Sequence, residues 1–160
     1  MNPSRTTVSR RRALGLVSAA VAALHVAPLR AATPGPQVEV WKSPSCGCCK
    51  DWVKHLEAAG FRVKTHDSGN TDARSRLGIP LALGSCHTAR VEGYAIEGHV
   101  PAREIRRLLA EKPAAVGLAV PAMPVGSPGM DGPEYGSRRD PYDVLLVRRD
   151  GSTAVYASYR

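Results

Sequence analysis

All four cysteines of the chain fall into two clusters. Cys46, Cys48 and Cys49 lie within four residues, and Cys86 stands apart, followed directly by His87. Sulfurs so closely spaced suit soft-metal binding or thiol–disulfide chemistry, because the thiolate is both the metal ligand and the nucleophile. With two residues between them, Cys46 and Cys49 can point to one side of a first helical turn, with Cys48 on the neighbouring flank. Gly47 leaves the backbone room to turn. If the triplet opens a helix, the unpaired N–H groups and the dipole there favour thiolate over thiol, and Lys42 and Lys50 can help. Thiolates without carboxylates favour Cu(I), zinc or iron–sulfur chemistry. A structural zinc site commonly shows two C-x-x-C pairs or Cys/His pairs at standard spacing. One crowded triplet and one Cys-His suit a thiolate-bridged cluster better, with zinc as the second choice. Two rival readings use the same residues. Four cysteines in an oxidising compartment can form two disulfides, although a bond between neighbours Cys48 and Cys49 is strained. A thiol–disulfide oxidoreductase needs only Cys46 and Cys49, which leaves Cys48 and Cys86 without a necessary task.

The elements that must position these residues read as alternating pieces. Val38–Trp41 alternates as a first strand, and Pro44 to Cys49 interrupts it. From Lys50 to Ala59 the apolar Trp52, Val53 and Leu56 fall at helical spacing, with Gly60 as a natural stop. Phe61–Thr65 gives a second strand, and Asn70 or Thr71 can cap a short helix that runs through Leu77 to Gly78. Arg90-Val91, the Glu92-Gly93 turn and Tyr94–Ile96 form a hairpin. Pro101 opens a third helix whose Ile105, Leu108 and Leu109 make one apolar stripe. The order β-α-β-α-β-β-α is that of a thioredoxin or glutaredoxin core, an α/β domain with a mixed sheet flanked by helices. In that order the loop Ser85-Cys86-His87-Thr88 enters the third core strand and faces the start of the first helix, which carries Cys86 to the other cysteines. Between Pro113 and Pro141, 11 of 29 residues are Pro or Gly, so this stretch is expected to be an irregular loop. Tyr142–Val147, the Asp150-Gly151 turn and Thr153–Tyr156 give a C-terminal β-hairpin that extends the sheet.

Composition narrows the class further. The chain has 160 residues, enough for one domain with a working core, and a formal net charge of +8. Five arginines and no acids lie in residues 1–32, so the remainder carries 17 basic against 14 acidic residues. With one Phe and no basic run interleaved with aromatics, nucleic-acid binding is not indicated. Residues 1–32 read as a signal peptide: Arg10-Arg11-Arg12, an apolar run from Ala13 to Val26, then the small residues Ala31-Ala32. The paired arginines also suit a twin-arginine signal. The apolar run is too short to span a bilayer comfortably, so the mature protein is expected outside the cytoplasm with no stable membrane insertion. A linker over 33–37 then leads to a single domain over 38–160.

Other ligand candidates stand lower. His87 is as readily a bystander as a ligand, since neighbours in a strand face opposite ways. His99, just before the third helix, reads first as a hydrogen-bonded structural histidine. Met123 and Met130 flank a Pro/Gly loop and can offer thioethers to Cu(I). His55 and His66 are expected at the surface.

The chain resembles a known family in four motifs. They are Trp41-Lys42-Ser43-Pro44-Ser45-Cys46-Gly47-Cys48-Cys49, Ser85-Cys86-His87-Thr88, the segment from Glu92 to Pro101, and the segment from Gly117 to Met130. Together they are similar to the periplasmic CopG-type copper-resistance proteins. The resemblance implies a thioredoxin-like fold and copper binding through Cys46, Cys48, Cys49 and Cys86. It also implies a role in copper tolerance that extends to Cu(I)/Cu(II) conversion, with copper ions and other periplasmic copper-handling proteins as partners.

Overall fold

The computed structural model describes residues 34–160 of the chain. The signal expected over 1–32 lies outside the described residues. Strand β1 (Gln37–Lys42) buries every second residue, Val38, Val40 and Lys42, as a strand with one face in the core must. It begins within the expected linker, where the Pro36 carbonyl already accepts from Arg62 N–H. Helix α1 (Gly47–Ala58) turns Cys49, Trp52 and Leu56 inward, a stripe at helical spacing. Strand β2 (Arg62–His66) returns parallel to β1.

Helix α2 (Asn70–Arg76) departs from expectation at its start. Its cap is Gly69, at φ 76°, with no side-chain cap. The Asn70 amide donates instead to the Cys86 carbonyl at 3.4 Å. Strands β3 (His87–Val91) and β4 (Tyr94–Glu97) form the expected hairpin, and its two turn residues, Glu92 and Gly93, both adopt positive φ. Helix α3 (Ala102–Glu111) follows Pro101 and buries Ile105 and Leu108. His55 Nε2 accepts its first N–H, from Ala102. His66 lies against the Glu39 carboxylate and stacks on Trp41. Both histidines are half-buried rather than on the surface, because each has found a local partner.

The stretch 113–141 is not irregular throughout. It contains strand β5 (Ala115–Ala119), which lies in the middle of the sheet, parallel to β4 and antiparallel to β6 (Tyr142–Arg148). Small residues and a glycine hid it, since strand propensity reads side chains that fill a pleated surface. Gly117 is there because there is no room for more: a Cβ would stand 1.8 Å from the Ala95 carbonyl oxygen. The hairpin partner β7 (Thr153–Tyr159) completes one seven-stranded mixed sheet in the order β2-β1-β3-β4-β5-β6-β7. Trp52, Leu56, Ile96, Ile105, Leu108 and Leu118 fill the core between sheet and helices. No described helix is long and apolar enough to cross a membrane.

Replacing Gly117 by alanine should cost roughly 1–3 kcal/mol of stability through overpacking against β4. Urea unfolding should show the lowered midpoint, and an unchanged midpoint would refute the close approach.

Candidate metal centre

The site forms where the start of α1 meets the entry to β3. Cys46 caps α1, its Sγ accepting from Cys49 N–H at 3.3 Å, and the tight first turn sets Cys46, Cys48 and Cys49 around one helix end. Cys46 and Cys49 are joined in a disulfide, and Cys48 and Cys86 are reduced. Cys48 Sγ lies 3.5 Å from Cys46 Sγ and 3.9 Å from Cys86 Sγ. The ligating atoms of all four cysteines fall within 4.8 Å of one another. Cys49 is buried and the other three are half-buried. Lys42, expected to support a thiolate, instead turns its ammonium to Asp67.

Cys86 is held by a network centred on a buried carboxylate. Glu97 Oε1 accepts from Arg74 Nε at 2.9 Å and from Ser85 N–H at 2.6 Å, while Oε2 accepts from Thr88 Oγ1 at 2.6 Å. Arg74 Nη2 also donates to the Ser85 carbonyl at 2.6 Å. Burial pushes the Glu97 pKa up, and the Thr88, Ser85 and Arg74 donors oppose it. This clamp grips the residues on both sides of the Cys86–His87 pair.

Two imidazoles complete the pocket. Cys86 Sγ is 3.3 Å from His87 Nδ1 and 3.1 Å from His99 Nε2. Both rings reach the same sulfur because Cys86 precedes the strand rather than belonging to it, so strict alternation does not separate it from His87. His87 packs against Trp52 with ring centroids 4.3 Å apart, and its Nε2 has no hydrogen-bond partner. His99 was expected to be a hydrogen-bonded structural residue. It has that bond, Nδ1–H to the Pro128 carbonyl at 2.8 Å, and the bond aims Nε2 at Cys86. Burial lowers the pKa of both rings, leaving them neutral near pH 7 with lone pairs available.

The Pro/Gly loop closes the rim. A Cβ on Gly129, at φ 83°, would meet the Cys48 carbonyl oxygen at 2.5 Å and Trp52 N at 2.7 Å. Only glycine lets the loop lie this close to the helix start. Met130 is buried, and its thioether accepts from Tyr135 O–H at 3.4 Å. Met123 is exposed and lines a surface hollow with Pro121, Pro124 and Tyr142, a hollow bordered by no cysteine or histidine.

Burial, then the neighbouring Cys48, push the Cys86 thiol up to about 12, so it is protonated in the metal-free protein. Alkylation of Cys86 should therefore be slow at pH 8 and should quicken about tenfold per pH unit. Mass spectrometry of the modified peptide reads this directly, and a pH-independent rate would refute it.

A family model described as "Protein of unknown function, DUF411" matches residues 83–130, which include Cys86, both pocket imidazoles and the closing loop. No curated protein matches the chain. Two solved structures do. "Copper resistance protein copG- Form 2" is 46% identical with a TM-score of 0.73, the match covering 79% of this chain and 99% of that one. "Copper resistance protein copG- Form 1" is 48% identical with a TM-score of 0.72, over 79% and 98% respectively. At that identity, with nearly the whole of each relative spanned, the chain belongs to the CopG family of copper-resistance proteins.

Proposed function

We propose that this protein binds copper as Cu(I) in a thiolate-bridged cluster and serves copper resistance in the periplasm. The observation that carries the reading is the convergence of four cysteine sulfurs, with two neutral imidazoles behind them, in one pocket. Reduced, the set offers four soft anionic ligands that can bridge, so several monovalent ions share the charge. Names of the relatives support copper as the cargo; zinc is the alternative ion for such ligands. In this reading a signal over 1–32 exports the chain to the periplasm. Met130, next to the glycine that touches Cys48, is an auxiliary ligand in this reading, whereas Met123 lies in a hollow away from the sulfurs.

The Cys46–Cys49 disulfide supports an added redox role. Closing it from two thiols releases two electrons and two protons, which is enough to reduce two Cu(II) to two Cu(I). The same disulfide favours a second reading, thiol–disulfide exchange through Cys46 and Cys49 alone.

Titration of the reduced protein against a Cu(I) chelator should give more than one copper per chain. Cys86→Ser should weaken binding about as much as Cys46→Ser, because a hydroxyl is a poor soft-metal ligand. A one-to-one zinc complex that copper cannot displace would overturn the cluster.

Cys48→Ser separates the two readings, since it leaves Cys46 and Cys49 untouched. A copper cluster should lose metal in this variant, whereas an exchange enzyme should keep its disulfide reductase activity. Retained reductase activity, with no copper bound even by the parent protein, would establish the second reading.

A further inference from the structure

Cys48 touches a disulfide on one side and a second thiol on the other. Its Sγ lies 3.5 Å from Cys46 Sγ, which is bonded to Cys49, and 3.9 Å from the free Cys86 Sγ. A thiol in contact with a disulfide is the starting geometry of thiol–disulfide exchange, and here two thiols are placed in succession. We propose that the Cys46–Cys49 bond is the first station of an internal disulfide relay, from which it migrates through Cys48 to a Cys48–Cys86 bond.

Each step exchanges one sulfur–sulfur bond for another. In the first, the Cys48 sulfur bonds to Cys46 Sγ, the Cys46–Cys49 bond breaks, and its electron pair leaves on Cys49. The proton given up by Cys48 ends on Cys49, whose Sγ lies 3.8 Å from the Cys86 carbonyl oxygen, an acceptor already in place. In the second, Cys86 passes its proton to His99 Nε2, 3.1 Å away, and its sulfur bonds to Cys48. The Cys46–Cys48 bond breaks and Cys46 leaves with the electron pair. Cys49 N–H, at 3.3 Å, and the helix end favour that leaving thiolate. The proton on His99 returns to it through water. One disulfide and two thiols are present before and after, so no outside oxidant or reductant is needed.

His99 is fitted to its part. Its Nδ1–H is held on the Pro128 carbonyl, which turns the Nε2 lone pair toward Cys86. A nucleophile, a base and a group that orients the base are thus in contact, the arrangement that activates a cysteine for covalent chemistry.

Migration changes what the disulfide does. The first bond links residues 3 apart in sequence, within one helix turn, whereas the second links residues 38 apart and ties the start of α1 to the entry of β3. A bond that closes the longer loop restricts the unfolded chain more, so it braces the fold. It also frees Cys46 and Cys49 as a dithiol at the helix end, able to reduce one further disulfide. The chain then has two dithiol pairs to work with, which exchange by Cys46 and Cys49 alone does not provide.

The inference stands apart from copper binding and is tested without metal. Full-length protein with one disulfide per chain, half of it labelled with nitrogen-15, is incubated with a chelator at pH 8, without air or added thiol. Excess N-ethylmaleimide at mildly acidic pH then blocks free thiols, and tryptic peptides are read by mass spectrometry. The Cys46–Cys49 bond stays within Ser43–Lys50, whereas the migrated bond joins that peptide to Leu77–Arg90. The joined pair is expected to grow with time and to carry one isotope only, as exchange within a chain requires. Cys48→Ser should cut its yield about tenfold or more, and His99→Ala should slow its growth by about the same factor. Absence of the joined pair in the parent, or a pair with mixed isotopes, overturns the proposal whether or not the variants fold. A pair undiminished in Cys48→Ser overturns the path through Cys48, and an unchanged rate in His99→Ala overturns the proton route. Copper titration of the reduced parent reads the copper proposal separately, so either can fail alone.

Discussion

Glu97 places a carboxylate in the core where water cannot reach it, and such a group is tolerated only when donors surround it. Its partners are drawn from three elements. Arg74 comes from α2, Thr88 from β3, and the Ser85 amide from the loop between them. Satisfying the carboxylate therefore sets the path of that loop. Because Cys86 is the next residue, the most distant sulfur in the sequence is delivered to the pocket by electrostatics rather than by apolar packing. The Asn70 amide on the Cys86 carbonyl adds a second tether from the same helix.

Around this fixed point the pocket is assembled from parts that stiffen one another. The helix start supplies three sulfurs in one turn, and the sheet supplies Cys86 and His87. The loop from Pro128 to Gly129 orients His99 and rests on the Cys48 backbone. No single element carries more than part of the ligand set. Ligation thus depends on the complete tertiary structure, and a metal held there would in turn stabilise that structure by linkage.

Much of this was legible in the sequence. The Cys46/Cys48/Cys49 triplet, the hydrophobic stripe of α1 and the two hairpins were read from local spacing, which is where local rules are strongest. Cys86 was brought to the others by element order alone. Two things were not legible. Strand β5 was obscured because Gly117 answers a steric demand from Ala95, a neighbour 22 positions away, and so lowers the local strand signal. The imidazoles are hard to read from sequence for a related reason. Whether His87 and His99 face a sulfur depends on where β3 begins and on a carbonyl of a remote loop, and neither has a local signature. The Glu97 clamp has no local signature either, since an acid at a strand end reads as solvent-facing until its partners are known.

Trp52 adds an optical dimension to this arrangement. Its indole is buried, its N–H is fixed on the Val100 carbonyl at 2.9 Å, and its ring touches the imidazole of His87. The only other indole, Trp41, is partly exposed and stacked on His66. The protein therefore carries an intrinsic fluorophore one side chain away from its sulfur pocket, in surroundings that suppress rotational and solvent relaxation. Electron or energy transfer across so short a path makes the intensity and lifetime of its emission sensitive to what the pocket holds.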